Sequence, residues 1–309
     1  MTIQNFTIEP GQSQMLKLNV GRLPSDTRIH LPVFAFRSAN PGASVLVMAG
    51  VHGDEVNSIE IVRRALASRM FDNLLKGSVV AIPVLNVHGF NNFSRDVPDG
   101  KDVNRSFPGS ASGSMAARVA HVFSRHILPV IDFGVDFHTG GNGHYNFPQI
   151  RYTADDAESE ALAKAFGAPF LVAARLRPNS LRKTALVANK RILVFEGGEN
   201  LRLDGFSVEK GLAGLRRLLV SQGMLAEKVA PEKSIHLERS TWLRAGRPGM
   251  FRWSKQSGQQ VTKGEPLGVI NDPFGQDEIP VVASRDGYLI GHNNSPVVGQ
   301  GDALFHIGY

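Results

Sequence analysis

Two short segments of the chain carry side chains of the types that bind metals. They are Gly50-Val51-His52-Gly53-Asp54-Glu55 and, further along, Asp136-Phe137-His138. His52, Glu55 and His138 offer two imidazoles and one carboxylate, which is the ligand set of a catalytic zinc with one position open for water. The chain has no cysteine, so nitrogen and oxygen atoms must hold any zinc. We therefore predict one Zn2+ per chain at these three residues.

The elements around these ligands are expected to place them at one edge of a sheet. The apolar run Val45–Ala49 predicts a buried strand before the first segment, and Val56–Met70 has apolar residues at helical spacing after it. His138 closes another apolar run and should also lie at a strand end, where open α/β sheets bind ligands. A purely structural alternative exists for Glu55, because the dipole of a first helical turn favours a carboxylate without metal.

Further carboxylates are suited to assist a metal. Asp136 shares a strand face with His138, so it can hold the ring N–H of a ligating histidine, either His138 or His52. Glu196 directly follows a buried apolar run, where desolvation prepares a carboxylate to act as a general base. Glu199, in the glycine-rich turn that follows, is the alternative base.

A polar segment between the two metal segments carries candidate substrate-binding groups. It reads Asp102-Val103-Asn104-Arg105-Ser106-Phe107-Pro108-Gly109, and Arg95 precedes it. A guanidinium grips a carboxylate bidentately, and Asn104 adds a further donor. Arg95 can instead polarise a carbonyl and stabilise an oxyanion. The alternative is a surface loop in which Asp102 simply pairs with Arg105.

Size and charge narrow the class of protein. The 309 residues suffice for two domains, and 42% hydrophobic content can fill a sizeable core. The net charge is +6, but the basic residues are scattered without interleaved aromatics, so nucleic acid is not an expected partner. No apolar stretch reaches the length of a membrane span, and the N-terminus has no secretory pattern. We expect a cytoplasmic protein without a membrane partner.

Strand-like and helical runs alternate from about residue 45 to 222, which predicts an α/β fold with a mixed, mostly parallel sheet flanked by helices. The strand candidates are Val45–Ala49, Ser78–Val84, Asp132–Phe137, Pro169–Ala173 and Arg191–Phe195, and the helix candidates are Val56–Met70, Ser114–Ile127, Ala157–Phe166 and Ser207–Ser221. Met15–Val20 and Arg28–Phe36 should add antiparallel strands at an edge. Residues 86–113 and 140–152 are predicted to be long loops that are poor in helix.

The character of the chain changes near residues 230–234, a polar segment with a proline. From Ser240 onward only short β-like runs occur, and the form Val-x-x-Gly-(Glu/Asp)-x-Leu appears at 261–267 and again at 298–304. This repeat resembles the hairpins of lipoyl-like domains, although residues 281–288 lack the lysine that carries a prosthetic group. We predict a catalytic domain over 1–230 and a smaller C-terminal all-β barrel-sandwich domain over 235–309.

The motifs together resemble the succinylglutamate desuccinylase/aspartoacylase family, a branch of the carboxypeptidase-A-like zinc hydrolases. Gly-x-His-Gly-Asp-Glu, Asn…Arg, Asp-x-Asn-Arg-x-Phe-Pro-Gly, Asp-x-His and Glu-Gly-Gly agree in order and spacing over residues 45–200. The resemblance implies a zinc-carboxypeptidase-like fold and hydrolysis of the amide of a small N-acyl amino acid. Some relatives are similar to deacetylases of N-acetylated diamino acids.

The resemblance also implies a role for each site residue. His52, Glu55 and His138 would bind zinc, with Asp136 behind them. Glu196 would activate water and Arg95, nine residues after Asn86, would polarise the carbonyl. Asn104 and Arg105 would bind the free carboxylate of the substrate. The residues that recognise the acyl group are left open among Arg175, Arg177, Arg182, Tyr145 and Tyr152.

Two other functions are compatible with the same motifs. A metallocarboxypeptidase would share the zinc site and the arginines but have a more open cleft, whereas a C-terminal domain that covers the site would admit only small substrates. A catalytically silent binding protein would use the zinc fold as a scaffold. A homo-oligomer is a further expectation, because an exposed β domain often packs against a second copy.

Overall fold

The computed structural model describes all residues, Met1–Tyr309. Its helices are α1 (Val56–Ala67), α2 (Val87–Asn91), α3 (Met115–His126), α4 (Ala157–Phe166), α5 (Leu181–Val187) and α6 (Gly205–Ser221). Its strands are β1 (Thr2–Ile3), β2 (Phe6–Thr7), β3 (Ser13–Arg22), β4 (Arg28–Arg37), β5 (Ser44–Ala49), β6 (Ser78–Ile82), β7 (Phe133–Gly140), β8 (His144–Thr153), β9 (Phe170–Ala174), β10 (Arg191–Glu199), β11 (Ile235–Leu237), β12 (Ser240–Arg244), β13 (Gly249–Trp253), β14 (Gln260–Val261), β15 (Pro266–Asn271), β16 (Glu278–Val282), β17 (Gly287–Asn293), β18 (Val297–Val298) and β19 (Ala303–Gly308). None of the helices is both long and apolar enough to cross a membrane.

A large mixed sheet forms the centre of the molecule. Its four central strands, in the order β6-β5-β7-β10, are parallel, and they consist almost wholly of buried residues. On one flank β4 and β3 add antiparallel strands, as the sequence predicts, and on the other flank β8 runs antiparallel to β10. The predicted mixed α/β architecture is therefore confirmed.

Helices cover both faces of this sheet. One core cluster joins the sheet to α1, α4 and α6, through residues such as Ile61, Phe166 and Leu215. A second cluster joins the opposite face to α3 and α5, through Phe123 and Leu181. Side chains that alternate along the strands thus meet apolar helix faces on either side, which leaves the carboxyl edge of the parallel strands open for polar groups.

Three local predictions are wrong. Residues 140–152 are not a loop, because most of them form β8, whose polar side chains hide the strand pattern. The segment 86–113 is poor in helix, as predicted, with only the five-residue α2 and a 3-10 turn at Val103–Arg105, whereas α5 follows Ser180 where no helix was predicted. In addition, β7 and β10 continue to Gly140 and Glu199, so His138 and Glu196 lie inside strands rather than beyond their ends.

The C-terminal segment is all β, as predicted, and part of it continues the central sheet. Strands β16-β15-β13-β18 form a separate antiparallel sheet. Strand β17, however, pairs with β8 and carries β14, β19 and β12 beyond it, so the main sheet has 13 strands. A core of 12 buried residues from Ala245 to Ile307 lies between the two sheets. The boundary between 1–230 and 235–309 stays a prediction.

Two buried histidines of the C-terminal segment should make the fold sensitive to acid. Burial lowers the pKa of His306 to about 3, helped by the nearby charge of Arg151, and burial lowers the pKa of His292 to about 4. An unfolded histidine titrates near pH ~6.5, so the folded state binds fewer protons below that pH and stability falls as pH falls.

We expect His306→Phe to weaken this pH dependence of the unfolding free energy between about pH 6.5 and pH 3, the window between the unfolded and the folded pKa of His306. Urea unfolding at several pH values measures it. His236→Gln is the matched control, because His236 is exposed and should leave the pH dependence unchanged. An equal pH dependence in wild type and His306→Phe would contradict the assignment.

Candidate active site

The first metal segment is a tight turn between β5 and α1, packed against the backbone of α2. Gly53 has no room for a side chain, since a Cβ there would lie 2.0 Å from the backbone nitrogen of Phe90. Glu55 stands at the N-terminal cap of α1, but its carboxylate makes no capping hydrogen bond. It turns away from the helix, toward His52, so the structural alternative of a helix-start carboxylate does not describe it.

His52, Glu55 and His138 come together in the structure. The Nδ1 atom of His52 lies 2.7 Å from Glu55 Oε1, and the Nδ1 atom of His138 lies 2.8 Å from Glu55 Oε2. One ligand atom from each of the three residues lies within 4.8 Å of the others, and all three side chains are buried. Such a convergence of two imidazole nitrogens and one carboxylate can hold a metal.

A carboxylate holds the far nitrogen of each imidazole. Asp136 Oδ2 lies 2.8 Å from His138 Nε2, which settles which histidine Asp136 serves. Asp102 Oδ1 lies 3.2 Å from His52 Nε2, so Asp102 does not pair with Arg105. Sequence reasoning missed this role of Asp102, because the two residues are fifty positions apart and only the fold brings them together. These contacts leave both Nδ1 atoms directed toward Glu55.

The electrostatics of the cluster fit a bound divalent cation. Burial disfavours charge on either ring, but Glu55 and Asp102 outweigh it for His52, and Asp136 and Glu55 outweigh it for His138, so both pKa values are raised. Burial likewise disfavours the Glu55 carboxylate, yet the two imidazoles hold its pKa well below the usual range. Three carboxylates meet two imidazoles and one guanidinium, so with neutral rings the cluster carries two excess negative charges. A divalent cation would compensate them.

Arg95 supplies the guanidinium that contacts this cluster. Its Nη2 donates to Asp102 Oδ2 at 2.9 Å, and its Nη1 lies 3.4 Å from Glu55 Oε1. Asn86 explains the nine-residue spacing, because its side chain accepts from Gly89 N to cap α2 and donates to the carbonyl of Arg95. Arg95 is therefore held beside the His52–Glu55–His138 cluster.

Asn104 and Arg105 lie on the 3-10 turn next to Asp102. Asn104 Oδ1 accepts from the backbone nitrogen of Leu181 at 3.0 Å, which joins the turn to the start of α5 and orients the amide group. Arg105 is exposed, and its guanidinium contacts only the carbonyl of Asn104 among the hydrogen-bond acceptors of the protein. Its remaining donors are free to hold an anionic group.

Glu196 lies on β10 directly beside His138 on β7, in parallel register. Residues opposite each other on neighbouring strands point to the same face, so Glu196 and His138 share the face that carries the metal ligands. The Glu199 carboxylate is engaged elsewhere, because it accepts from Asn294 Nδ2 of the C-terminal segment at 2.7 Å. Glu196, rather than Glu199, is thus the carboxylate that lies opposite His138, since Glu199 pairs with Gly140.

The five candidates for acyl recognition separate in space. Tyr152 lies in the core against α4 and α6, and Arg182 is partly buried, with its guanidinium donating to Thr153 Oγ1 and to the carbonyl of Ala174. The other three are Arg175, which is exposed, Tyr145, which donates to Asp204 Oδ2 at 3.2 Å, and Arg177. Burial and then the charges of Arg105 and Arg151 lower the pKa of Arg177, which places it among the arginines near Glu196.

The fold and the site agree with a match to known hydrolases. The family model described as the succinylglutamate desuccinylase/aspartoacylase catalytic domain matches residues 41–221. The chain belongs to this family, whose enzymes remove acyl groups from amino acids.

Particular relatives narrow the comparison. The chain is 30% identical to N-alpha-acetyl-L-2,4-diaminobutyric acid deacetylase of Halomonas elongata over 319 aligned residues, which cover 97% of this chain and 92% of the relative. The product-bound ectoine utilization protein EutE (DoeB) of Ruegeria pomeroyi has a similar structure, with a TM-score of 0.86 and 25% identity over 96% of this chain and 94% of that one. A succinylglutamate desuccinylase/aspartoacylase of Rhodobacter sphaeroides gives a TM-score of 0.85 and 25% identity over 96% and 95%.

Removal of the Asp102 carboxylate should weaken metal binding. Asp102→Asn loses the charge that orients His52, and loss of such an outer partner typically lowers metal affinity by about 10–100-fold. Competition with a chelating dye measures the zinc dissociation constant. Asp99→Asn is the control, since Asp99 is exposed and pairs only with Lys101. Equal affinity in Asp102→Asn and wild type would remove Asp102 from the metal site.

Proposed function

We propose that the protein is a zinc-dependent amidohydrolase that releases the acyl group from a small N-acyl amino acid. The observation that carries the proposal is the buried His52–Glu55–His138 cluster with Glu196 in register beside it. The relatives named as a deacetylase and as desuccinylases support the same reaction type. We further propose that the catalytic fold is of the zinc-carboxypeptidase type and that the C-terminal segment is a barrel-sandwich domain.

Four residues of the site have distinct roles in this proposed reaction, namely Glu196, Arg95, Asn104 and Arg105. Zinc, when bound, would polarise the substrate carbonyl and make water more acidic. Glu196 takes a proton from the attacking water and passes it to the nitrogen of the leaving amine. Arg95 donates to the oxygen on which negative charge develops. Asn104 and Arg105 hold the carboxylate of the amino acid, which orients the scissile amide.

The C-terminal segment supports a small substrate rather than a peptide. The loop 141–143 approaches Arg95, since a Cβ at Gly141 would lie 3.6 Å from its Nη1 atom. Asn294 braces this loop by donating its backbone N–H to the carbonyl of Gly143 at 2.7 Å. A cleft bordered in this way disfavours the metallocarboxypeptidase alternative, in which an extended peptide must enter. The binding-protein alternative has no supporting contact of its own.

The first substrate to test is an N-acetylated diamino acid, following the relative from Halomonas elongata. The purified protein, with its zinc content measured, is assayed on N-acetyl-2,4-diaminobutyrate, other N-acetyl, N-succinyl and N-formyl amino acids, and short peptides. We expect release of one free amino acid from an acylated monomer, and loss of this activity with a chelator. Trimming of peptides, or bound zinc without turnover of any acylated monomer, would count against the proposal.

The role of the base is tested by Glu196→Gln. This change keeps the shape of the side chain but removes its ability to accept a proton, so turnover should fall by roughly two to four orders of magnitude while zinc stays bound. Steady-state kinetics and metal analysis of the same preparation measure both. Glu199→Gln is the matched control and should retain most of the activity. A Glu196→Gln enzyme with wild-type turnover would exclude Glu196 as the base.

A further inference from the structure

Strand β8 holds both oxygens of the Glu196 carboxylate. Arg151 Nη1 lies 3.1 Å from Oε1, and Asn146 Nδ2 donates to Oε2 at 2.9 Å. The Arg151 and Glu196 side chains are only 24% and 12% exposed, so this ion pair is largely shielded from water. An ion pair shielded in this way is weakened less by solvent and salt than an exposed one. Glu196 is therefore held by one hydrogen bond, from Asn146, and one ion pair, with Arg151.

Gln149 links Arg151 to the C-terminal segment. This glutamine is fully buried and lies opposite Glu196 in the pairing of β8 with β10. Its Oε1 accepts from Arg151 Nε at 3.4 Å, and its Nε2 donates to the carbonyl of Ile290 on β17 at 3.0 Å. The same Nε2 also donates to the carbonyl of Phe147 at 3.4 Å. A buried amide with both ends engaged has one orientation, and the shorter bond to the Ile290 carbonyl helps to fix how Gln149 faces Arg151.

Asn146, the second partner of Glu196, also contacts β17. Asn146 pairs with Gly291, the residue after Ile290. A Cβ at position 291 would lie 2.8 Å from Asn146 Oδ1 and 3.0 Å from the carbonyl of Tyr145, so the amide of Asn146 occupies the space that a side chain there would need. The absent side chain of Gly291 thus allows Asn146 to face Glu196.

We propose that Arg151 and Asn146 form a clamp that positions Glu196, and that β17 sets this clamp through Ile290 and Gly291. The inference rests on the proposed function, because it gives Glu196 the role of the base. A free glutamate side chain samples several rotamers, and proton transfer requires a fixed approach of its oxygens to the water and then to the amine. Arg151 and Asn146 are positioning residues that act through Glu196.

The clamp predicts a selective kinetic defect. Arg151→Met should lower kcat by about 10–100-fold, as removal of an orienting partner typically does, with KM and zinc content unchanged. Arg151→Lys keeps a charged donor and should recover part of the lost kcat. Arg252→Met is the matched control, since Arg252 is an exposed arginine of β13 and should behave as wild type.

The contribution of β17 is tested with a double-mutant cycle. Gly291→Ala should lower kcat because the new methyl group displaces the Asn146 amide. Asn146→Ala should lower kcat because the hydrogen bond to Glu196 Oε2 is lost. In the Asn146→Ala background the methyl group has no amide to displace and meets only the carbonyl of Tyr145, so Gly291→Ala should add a clearly smaller loss than in the wild type. Additive effects of the two changes would overturn the role of β17.

Crystal structures give a readout that does not depend on turnover. In zinc-loaded Arg151→Met the Glu196 carboxylate should leave its wild-type position or lose order, and in Arg151→Lys it should stay. An unmoved carboxylate together with wild-type kcat would overturn the clamp, as would a kcat loss explained by lost zinc. If the wild-type enzyme hydrolyses no acylated amino acid, the proposed function fails, while the position of Glu196 in these structures still decides whether the clamp exists.

Discussion

The carboxylate of Glu55 is the group on which the other parts of the site converge. It lies within hydrogen-bonding distance of His52 Nδ1 and His138 Nδ1, accepts from the backbone N–H of Thr139 at 3.1 Å, and approaches the Arg95 guanidinium. These partners come from the turn after β5, from β7 and from the segment after α2. A buried carboxylate is tolerated only where such partners surround it, so this one group requires three distant parts of the chain to meet.

Strand register transmits that requirement to the rest of the sheet. Because β7 lies between β5 and β10, the position of His138 also fixes the position of Glu196 beside it. Strand β8 then approaches β10 from the other side with a polar face directed at Glu196. The central strands provide an apolar support, and the polar chemistry is confined to their carboxyl edge, as is usual for open α/β sheets.

The sequence allowed prediction of the parts that local pattern determines. The convergence of His52, Glu55 and His138 could be predicted because each follows an apolar run of strand length, and the parallel core could be predicted because its strands are continuously apolar. Strand β8 lacks the apolar pattern of a buried strand, because Asn146, Gln149 and Arg151 occupy positions where such a strand normally has apolar residues. Their burial is stabilised by contacts with Glu196 and β17, which no local pattern contains. The same reason hid the contact of Asp102 with His52.

The pairing of β17 with β8 has a consequence for how the protein folds. The last strands of the chain hydrogen-bond to strands of the first two hundred residues, both at β8 and where β11 pairs with β9. The chain therefore cannot complete its main sheet until its C-terminal end has been synthesised. Until then β8 and β9 present unpaired edges, which makes the partly synthesised chain vulnerable to association with other strands. The same continuity favours unfolding of the two segments as one cooperative unit.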